Sequence, residues 1–319
     1  MLFRSVHGAG GGVRIGVVGT PGAWSTERLV NAFRAAGAPA RVVDLAACSL
    51  RLPDAGVYHR GVPLEGLDAV VVKKIGDTAD GWAVRERLNL LRRLEDSGVP
   101  VLSTPDRLEV AVDRYRMTLE LARGGLPVPE TVITEDLVEA EAAVERFGVA
   151  VLKPLFTSKG RGMHRLEPAA DLGPTLARHQ VEAGGPLYLQ RFVKHPGRDL
   201  GIAVLDGRCL GAYWRVAAPD RWMTTVHSGG RYEPAAPPRE AIEMAVEAAN
   251  RFGLIFTGVD LIEGPSGAWQ VLEVSAFGGF RGLLQACGVD AASLLAETVL
   301  RRVEPTGGAV LEASARAMR

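Results

Sequence analysis

The sequence predicts an α/β protein of the α+β kind, with a parallel sheet early in the chain and antiparallel sheets later. Over about the first hundred residues, short apolar runs alternate with amphipathic stretches, which is typical of parallel strands joined by helical crossovers. From about residue 187 the apolar runs lie closer together and include Asp206-Gly207, a typical hairpin turn. With 319 residues, the chain exceeds the usual size of one domain.

The first predicted domain spans 13–104 and follows a flexible, glycine-rich leader at 1–12. Its predicted strands are 13–19, 41–45, 68–72 and 99–103, and its predicted helices are 26–36 and 82–96. Gly37 and Ser97-Gly98 follow the two helices, which is where helix stop signals are expected. This pattern indicates a small, mostly parallel sheet covered by helices.

Two α+β domains are predicted next, at 105–190 and 191–305, followed by a loose tail at 306–319. Pro105 begins a helix predicted to reach Arg123, because proline is tolerated in the first turn. The other predicted elements are helices at 136–147, 238–252 and 290–301, and strands at 149–154, 187–193, 199–217 (a hairpin), 255–263 and 268–275.

Composition excludes several classes of protein. The 37 Lys and Arg residues balance 37 Asp and Glu residues, so no global basic field would hold nucleic acid or a membrane surface. The three cysteines are isolated, which argues against a disulfide framework or a structural zinc site. No apolar run approaches the ~20 residues of a membrane span, and the first residues lack a signal-peptide core. We therefore expect a cytoplasmic protein.

A cationic, glycine-rich loop follows the strand predicted at 149–154. It begins at Lys153 and contains Ser158, Lys159, Gly160 and Gly162. Glycine lets backbone N–H groups approach phosphates, and the cations neutralise charge, although the order differs from that of a P-loop. The loop is therefore either a phosphate-binding loop or a solvated hairpin turn.

The last predicted hairpin carries Asp260 on one strand and Glu273 and Ser275 on the other. With a connection at 263–268, Asp260 pairs near Val271 and lies diagonal to Glu273 on the same face. Two carboxylates directed to one point require a cation, and oxygen ligands favour Mg²⁺. The alternative is that both carboxylates lie on an exposed polar face.

A third feature is the stretch from Gln190 to Val193, with Asp199 shortly after it. The strand end would offer backbone groups to an adenine edge, and the carboxylate would bind a ribose. An edge strand followed by a turn explains the same residues. Lys73 ends an earlier strand, where doubly wound sheets present ligand-binding loops.

The order of these features resembles the ATP-grasp superfamily, and most closely the RimK-like alpha-L-glutamate ligases, including those that modify tetrahydromethanopterin or deazaflavin cofactors. The resemblance covers about 100–300. It is carried by the Lys153 loop, Gln190–Val193, Asp199, Arg215, the sequence His227-Ser228-Gly229-Gly230, Asp260 and Glu273. It implies an ATP-grasp fold, in which an N-terminal β/α domain precedes two lobes that clasp ATP.

The resemblance also implies roles for individual residues. The expected ATP-binding residues are Arg114, Lys153, Ser158, Lys159, Gly160, Gly162, Gln190, Arg191, Phe192, Val193 and Asp199. The expected metal ligands, for Mg²⁺ or Mn²⁺, are Asp260, Glu273 and Ser275. Arg215 and Lys153 are the expected catalytic residues. By similarity or by position, the expected substrate contacts are Lys73, Arg215, His227, Ser228, Gly229 and Arg281.

The implied function is a Mg-ATP-dependent carboxylate–amine ligase that forms an amide through an acyl phosphate. It would add a glutamate-like amino acid to the carboxylate of a small molecule, cofactor or peptide, as a homodimer or homotetramer. One alternative is an ATP-binding relative with altered or lost catalysis, acting as a sensor or partner subunit. Another is a dinucleotide-dependent oxidoreductase, which rests only on the first strand and its glycine turn.

Three positions and one segment depart from the family pattern. Ser275 stands where the metal motif usually has asparagine, Arg114 where a lysine is common, and Arg191 where the hinge usually has glutamate. The segment 223–230 lacks two arginines and an asparagine. Because arginines there would serve an anionic substrate, the resemblance supports ATP use more directly than it supports glutamate.

Overall fold

The structure, a computed structural model, describes residues 12–76, 81–157 and 160–303. It confirms the mixed α/β fold class. The chain divides into two compact units, the first drawn from 1–76, 89–102 and 291–319, and the second from 77–88 and 103–290. The predicted tail and nearly all of the predicted leader lie outside the described residues. Within the described part of the chain, no helix has the length and apolarity needed to cross a membrane.

The first unit is built on a parallel sheet. Its elements are β1 (Ile15–Val18), α1 (Trp24–Ala35), β2 (Ala40–Val43), β3 (Cys48–Arg51), β4 (Gly56–His59), β5 (Val62–Pro63), β6 (Ala69–Val72), α2 (Gly81–Asp96, shared with the second unit) and β7 (Val101–Leu102). The strand order is β2-β1-β6-β7, and every neighbouring pair is parallel. β1 and β6 are buried along their whole length, which explains why they are uniformly apolar.

A small antiparallel sheet, ordered β3-β4-β5, interrupts this parallel pattern. The sequence analysis assigned no strand to 48–63. These strands have at most four residues each, and Val57 is their one buried residue. They therefore lack the apolar run that predicts the parallel strands.

Besides its part of α2, the second unit contains six α-helices and nine strands among the described residues. Its helices are α3 (Pro105–Val112), α4 (Arg114–Arg123), α5 (Leu137–Phe147), α6 (Leu172–Ala183), α7 (Arg239–Phe252) and α8 (Arg281–Cys287). Its strands are β8 (Thr131–Thr134), β9 (Ala150–Leu152), β10 (His164–Leu166), β11 (Leu187–Arg191), β12 (Arg198–Leu205), β13 (Arg208–Val216), β14 (Arg231–Pro234), β15 (Phe256–Glu263) and β16 (Trp269–Ser275). The final helix, α9 (Ala291–Val303), belongs to the first unit and packs against α1.

Both sheets of the second unit are antiparallel. One is ordered β10-β9-β11-β8 and the other β14-β13-β12-β15-β16. In the four-stranded sheet, Leu187 and Leu189 pack into a core with α5 and α6, which covers one face. Successive residues of a strand alternate in direction, so Tyr188 and Gln190 lie on the other face.

The single helix predicted from Pro105 to Arg123 is wrong. Asp113 is extended between α3 and α4, and its Oδ1 accepts hydrogen bonds from the N–H groups of Tyr115 (2.9 Å) and Arg116 (3.3 Å). An aspartate in this position caps a new helix rather than continuing the old one. Arg114 is therefore the first residue of α4.

The predicted pairing of Asp260 with Val271 is also wrong, by two residues. Asp260 pairs directly with Glu273, and a β-bulge follows, so that Leu261 pairs with Val271 and Leu272 is the extra residue. The expectation that both carboxylates share one face is confirmed. They are direct cross-strand neighbours rather than diagonal ones.

Candidate active site

Four charged side chains lie on one face of the five-stranded sheet. Asp199 on β12 pairs directly with Arg215 on β13, and Asp260 on β15 pairs with Glu273 on β16. Gly201 is the direct partner of Asp260, which places Asp199 diagonally from Asp260 on the same face. The register of four neighbouring strands therefore brings three carboxylates and one guanidinium together.

Arg215 pairs with two of these carboxylates. Its Nε donates to Asp199 Oδ1 at 3.0 Å, its Nη2 also bonds Asp199 Oδ2, and the same Nη2 lies 2.8 Å from Asp260 Oδ2. The Asp199 side chain is only 4% exposed. A buried carboxylate of this kind requires a charged partner, because desolvation alone would be costly.

Burial sets the titration of this cluster. It raises the pKa of Asp260 to about 7, with Asp199 and Glu273 raising it further and Arg215 opposing them. Burial acts to lower the pKa of Arg215, but the carboxylates of Asp199 and Asp260 outweigh it, so the pKa is raised and the guanidinium stays charged. These four side chains comprise three carboxylates and one guanidinium, and a second guanidinium, that of Arg114, lies 3.7 Å from Glu273. A bound cation would relieve the mutual repulsion that helps to raise the pKa of Asp260.

These residues fit a magnesium ion that also binds phosphate. No cluster of three His, Cys, Asp or Glu side chains suited to a metal occurs among the described residues. Mg²⁺ commonly takes only one or two protein carboxylates and completes its shell with water and substrate phosphates. Asp260 and Glu273 supply such a pair, and Ser275 shares their face because it pairs with Gly258, two residues from Asp260.

Lys153 directly follows β9 and is half-buried. Its Nζ donates to Gln190 Oε1 at 2.5 Å, and Gln190 in turn donates from Nε2 to the Tyr188 hydroxyl and to Thr131 Oγ1, each at 3.1 Å. Burial lowers the pKa of Lys153 to about 7, helped by the nearby Arg114 charge and opposed by Glu273, Asp260 and Asp199. The lysine is therefore within electrostatic reach of the acidic cluster. Gln190 is expected from the sequence to bind ATP, whereas its side chain binds Lys153, a contact that the sequence does not predict.

The glycine-rich loop is described except for Ser158 and Lys159, which lie outside the described residues. Gly160 and Gly162 have positive φ values of 73° and 68°, which glycine adopts without strain. Thr157 Oγ1 donates to the Arg161 carbonyl at 2.9 Å. A Cβ on Gly160 would lie 3.4 Å from both Met223 Sδ and Thr225 Cγ2, so this loop packs against the segment 223–230.

That segment forms a short turn with hydroxyls and no cation. Thr225 Oγ1 and Ser228 Oγ are hydrogen-bonded at 2.9 Å, His227 is exposed, and Gly229 has a φ of 90°. Arg231, immediately after the turn, pairs with Glu233. Arg281 is exposed at the start of α8. Lys73 is buried at the end of β6 in the first unit.

The Arg191 side chain points away from Lys153, to the opposite face of the sheet. It pairs with Glu130 at 2.6 Å and lies over the Phe147 ring, on the face that carries α5. Its backbone N–H also donates to the Glu130 carbonyl, at 2.8 Å. Phe192 packs against Trp222 and His195, with ring centroids at 6.1 and 5.6 Å.

Two tyrosines of the site face were missed by the sequence analysis. Tyr232 on β14 pairs directly with Arg215, and its ring meets Tyr213 edge-on at 5.2 Å. A Cβ on Gly201 or Gly282 would come within 2.7 or 2.4 Å of the Tyr213 ring, so both glycines allow its close approach. Gly201 lies inside the apolar run of β12, and a glycine within a strand often marks the close approach of another group. It was therefore a signal in the sequence that a large side chain packs there.

Comparisons with known proteins agree on one family. The RimK-like ATP-grasp domain matches residues 111–299, and the RimK PreATP-grasp domain matches 13–108. A tetrahydromethanopterin:alpha-L-glutamate ligase of Methanosarcina acetivorans is 30% identical, over 89% of this chain and 98% of its own. A probable alpha-L-glutamate ligase of Stenotrophomonas maltophilia is 30% identical, over 88% and 96%.

A solved structure of the ATP-grasp ligase PsnB, complexed with a phosphomimetic variant of its minimal precursor, Mg and ADP, is also similar. It is 25% identical with a TM-score of 0.71, over 91% of this chain and 98% of that one. The two antiparallel sheets and these matches define an ATP-dependent ligase that forms C–N bonds. The chain belongs to the RimK-like ATP-grasp family.

Proposed function

We propose that this protein is a Mg-ATP-dependent carboxylate–amine ligase that adds an amino acid, glutamate or one similar to it, to a carboxylate-bearing acceptor. The observation that carries the proposal is the contact between the segment that begins at Lys153 and the face that carries Asp260 and Glu273. Arg114 donates to the carbonyl of Pro154, the residue after Lys153, and its Nη2 lies 3.7 Å from Glu273 Oε2. One cation and one acidic pair near each other are what a metal–triphosphate complex requires.

In this proposal Lys153 and the glycine-rich loop bind the phosphates. Lys153 is half-buried and needs little reorganisation, because Gln190 already orients its amino group. The backbone of Gln190–Val193 holds the adenine, and Gly160 and Gly162 let the loop approach the phosphate oxygens. Asp199 would reach a ribose only by giving up part of its pairing with Arg215.

Asp260, Glu273 and Ser275 would hold Mg²⁺, which supplies neutralising charge to the phosphate oxygens of the bound nucleotide. Arg215 then provides the second positive charge at this face. Its guanidinium is preorganised by two carboxylates, so it can stabilise charge on the transferring phosphoryl group without a large reorganisation.

The chemistry proceeds in two balanced steps. An oxygen of the acceptor carboxylate attacks the γ-phosphorus of ATP, the bond to the β-phosphate oxygen breaks, and ADP leaves. The amine of the amino acid then attacks the acyl carbon, the carbon–oxygen bond to phosphate breaks, and inorganic phosphate leaves with the formation of the amide. The proton that the amine loses in this step passes to the departing phosphate or to water. The Gly160 loop, packed against Thr225, would exclude water from the acyl phosphate.

The named relatives support this reaction and leave the acceptor open. Two are named as alpha-L-glutamate ligases, one of them for tetrahydromethanopterin, whereas another solved structure of PsnB is complexed with the precursor peptide PsnA2. We therefore propose a small molecule, cofactor or peptide as the acceptor, glutamate as the first amino acid to test, and a homodimer or homotetramer as the assembly.

The experiment that tests the function is phosphate release from ATP with Mg²⁺, a panel of amino acids and fractionated cell extract. Mass spectrometry of the mixture should show a product heavier than its acceptor by one amino acid less water. Tight ATP binding with no ADP formation in any fraction would instead favour a sensor or partner subunit, the reading that Ser275 suggests.

The lowered pKa of Lys153 should make nucleotide binding depend on pH. The pKa of Lys153 is about 7 in the free protein, so at pH 8 this amine is mostly neutral. A bound nucleotide adds negative charge and raises the pKa, so binding of ADP with Mg²⁺ at pH 8 should take up close to one proton. Above pH 8 the affinity should fall with rising pH until the pKa of the bound state is passed.

Calorimetric titration of ADP in two buffers of different ionisation enthalpy measures this uptake. Lys153→Arg is the matched control, because its guanidinium is charged in both states and should take up none at this position. Equal binding enthalpies for the wild type in the two buffers would show no proton uptake, and would contradict the assignment of Lys153 as a phosphate-binding residue.

A further inference from the structure

Arg114 makes an unusual set of contacts to the segment that follows Lys153. Its backbone N–H donates to the Leu155 carbonyl at 3.1 Å. Its guanidinium donates from Nη1 to the Pro154 carbonyl and from Nη2 to the Thr157 carbonyl, the latter at 3.1 Å. One residue thus binds three of the four carbonyls in Pro154–Thr157.

The same guanidinium faces the acidic pair. Arg114 Nη2 lies 3.7 Å from Glu273 Oε2, and the Arg114 side chain is only 5% exposed. Asp113 fixes its backbone by capping α4. Arg114 therefore joins the N-terminus of a helix, the base of the glycine-rich loop and one proposed metal ligand.

We propose that Arg114 is a positioning residue, which holds Pro154–Thr157 in its binding conformation before nucleotide arrives and ties that segment to Glu273. This goes beyond the role in ATP binding expected from the sequence, and it rests on the proposed function only for the identity of the ligand. A planar guanidinium suits the task, since it donates in several directions and keeps its charge when buried. A lysine ammonium would keep the charge without reproducing the bridge between two carbonyls.

The test uses limited chymotrypsin digestion of the full, nucleotide-free protein, with cleavage after Phe156 followed by mass spectrometry. Cleavage there requires local opening of Pro154–Thr157, so its rate reports the population of the open form. In Arg114→Gln we expect cleavage about tenfold faster or more, because hydrogen bonds from a charged donor to two carbonyls are lost. Arg116→Gln, two residues along the same helix, should digest like the wild type, since Arg116 pairs with Glu109.

Arg114→Lys keeps the inference testable if the glutamine variant folds poorly, and it should also accelerate cleavage. Unchanged cleavage in both variants, together with weakened ADP binding, would overturn the inference and make Arg114 a direct phosphate ligand. A wild type that binds neither ATP nor ADP would contradict the proposed function, whereas the digestion of nucleotide-free protein would still decide the role of Arg114.

Discussion

Glu273→Gln should lower the rate of ATP-dependent amide formation about 100-fold or more. The substitution keeps the size of the side chain and removes one of the two carboxylates that face each other across the hairpin. Charge stabilisation by a metal contributes several kcal/mol to phosphoryl transfer, and each 1.36 kcal/mol corresponds to about a factor of ten. The rate is measured as ADP formation with saturating Mg²⁺ and as product by mass spectrometry.

Glu263→Gln is the matched control for this prediction. Glu263 is at the end of β15 in the same hairpin, but it alternates onto the face opposite Asp260. It should therefore retain wild-type turnover. Wild-type turnover in Glu273→Gln would contradict the assignment of Glu273 as a magnesium ligand, and with it the proposed mechanism.

Arg215→Met should reduce both stability and turnover. The substitution leaves the carboxylates of Asp199 and Asp260 buried without their cation, and removal of one partner from a buried pair typically costs about 3–5 kcal/mol in the free energy of unfolding. Burial already raises the pKa of Asp260, and loss of Arg215 raises it further. A carboxylate whose folded-state pKa is raised destabilises the fold as pH rises, so the deficit should be larger at pH 8 than at pH 5.

Urea denaturation at the two pH values measures this effect. Adding Asp199→Asn to Arg215→Met should restore part of the lost stability without restoring turnover, because it removes one unpaired charge but supplies no cation. Arg231→Met, on the neighbouring strand, should change stability little, since Arg231 and Glu233 form an exposed pair. An equal deficit at pH 5 and pH 8 would show that lost packing, rather than charge, is the cause.

The sequence predicted the parts of the fold that depend on local patterns. Buried strands such as β1 and β6 are uninterrupted apolar runs, and α7 has a regular apolar stripe. The meeting of Asp260 and Glu273 on one face followed from the two-residue periodicity of strands. These features require no knowledge of distant neighbours.

Other features depend on tertiary contacts that a local pattern does not contain. The helix α6 buries only Leu172, Leu176 and His179, so its stripe is too weak to identify. Arg191 faces Glu130 because of its strand parity and the position of α5. The pairing of Arg215 with both Asp199 and Asp260 depends on the register of three strands, which no spacing along the chain reveals.

Leu272, the extra residue of the bulge, allows Val271 and Glu273 to face opposite sides of β16. Before it, Trp269 and Val271 are buried, and after it Val274 is buried while Glu273 and Ser275 are turned the other way. Without the bulge, Val271 and Glu273 would have to share a face. Either the valine would then be exposed to solvent, or the carboxylate would be buried among aliphatic side chains.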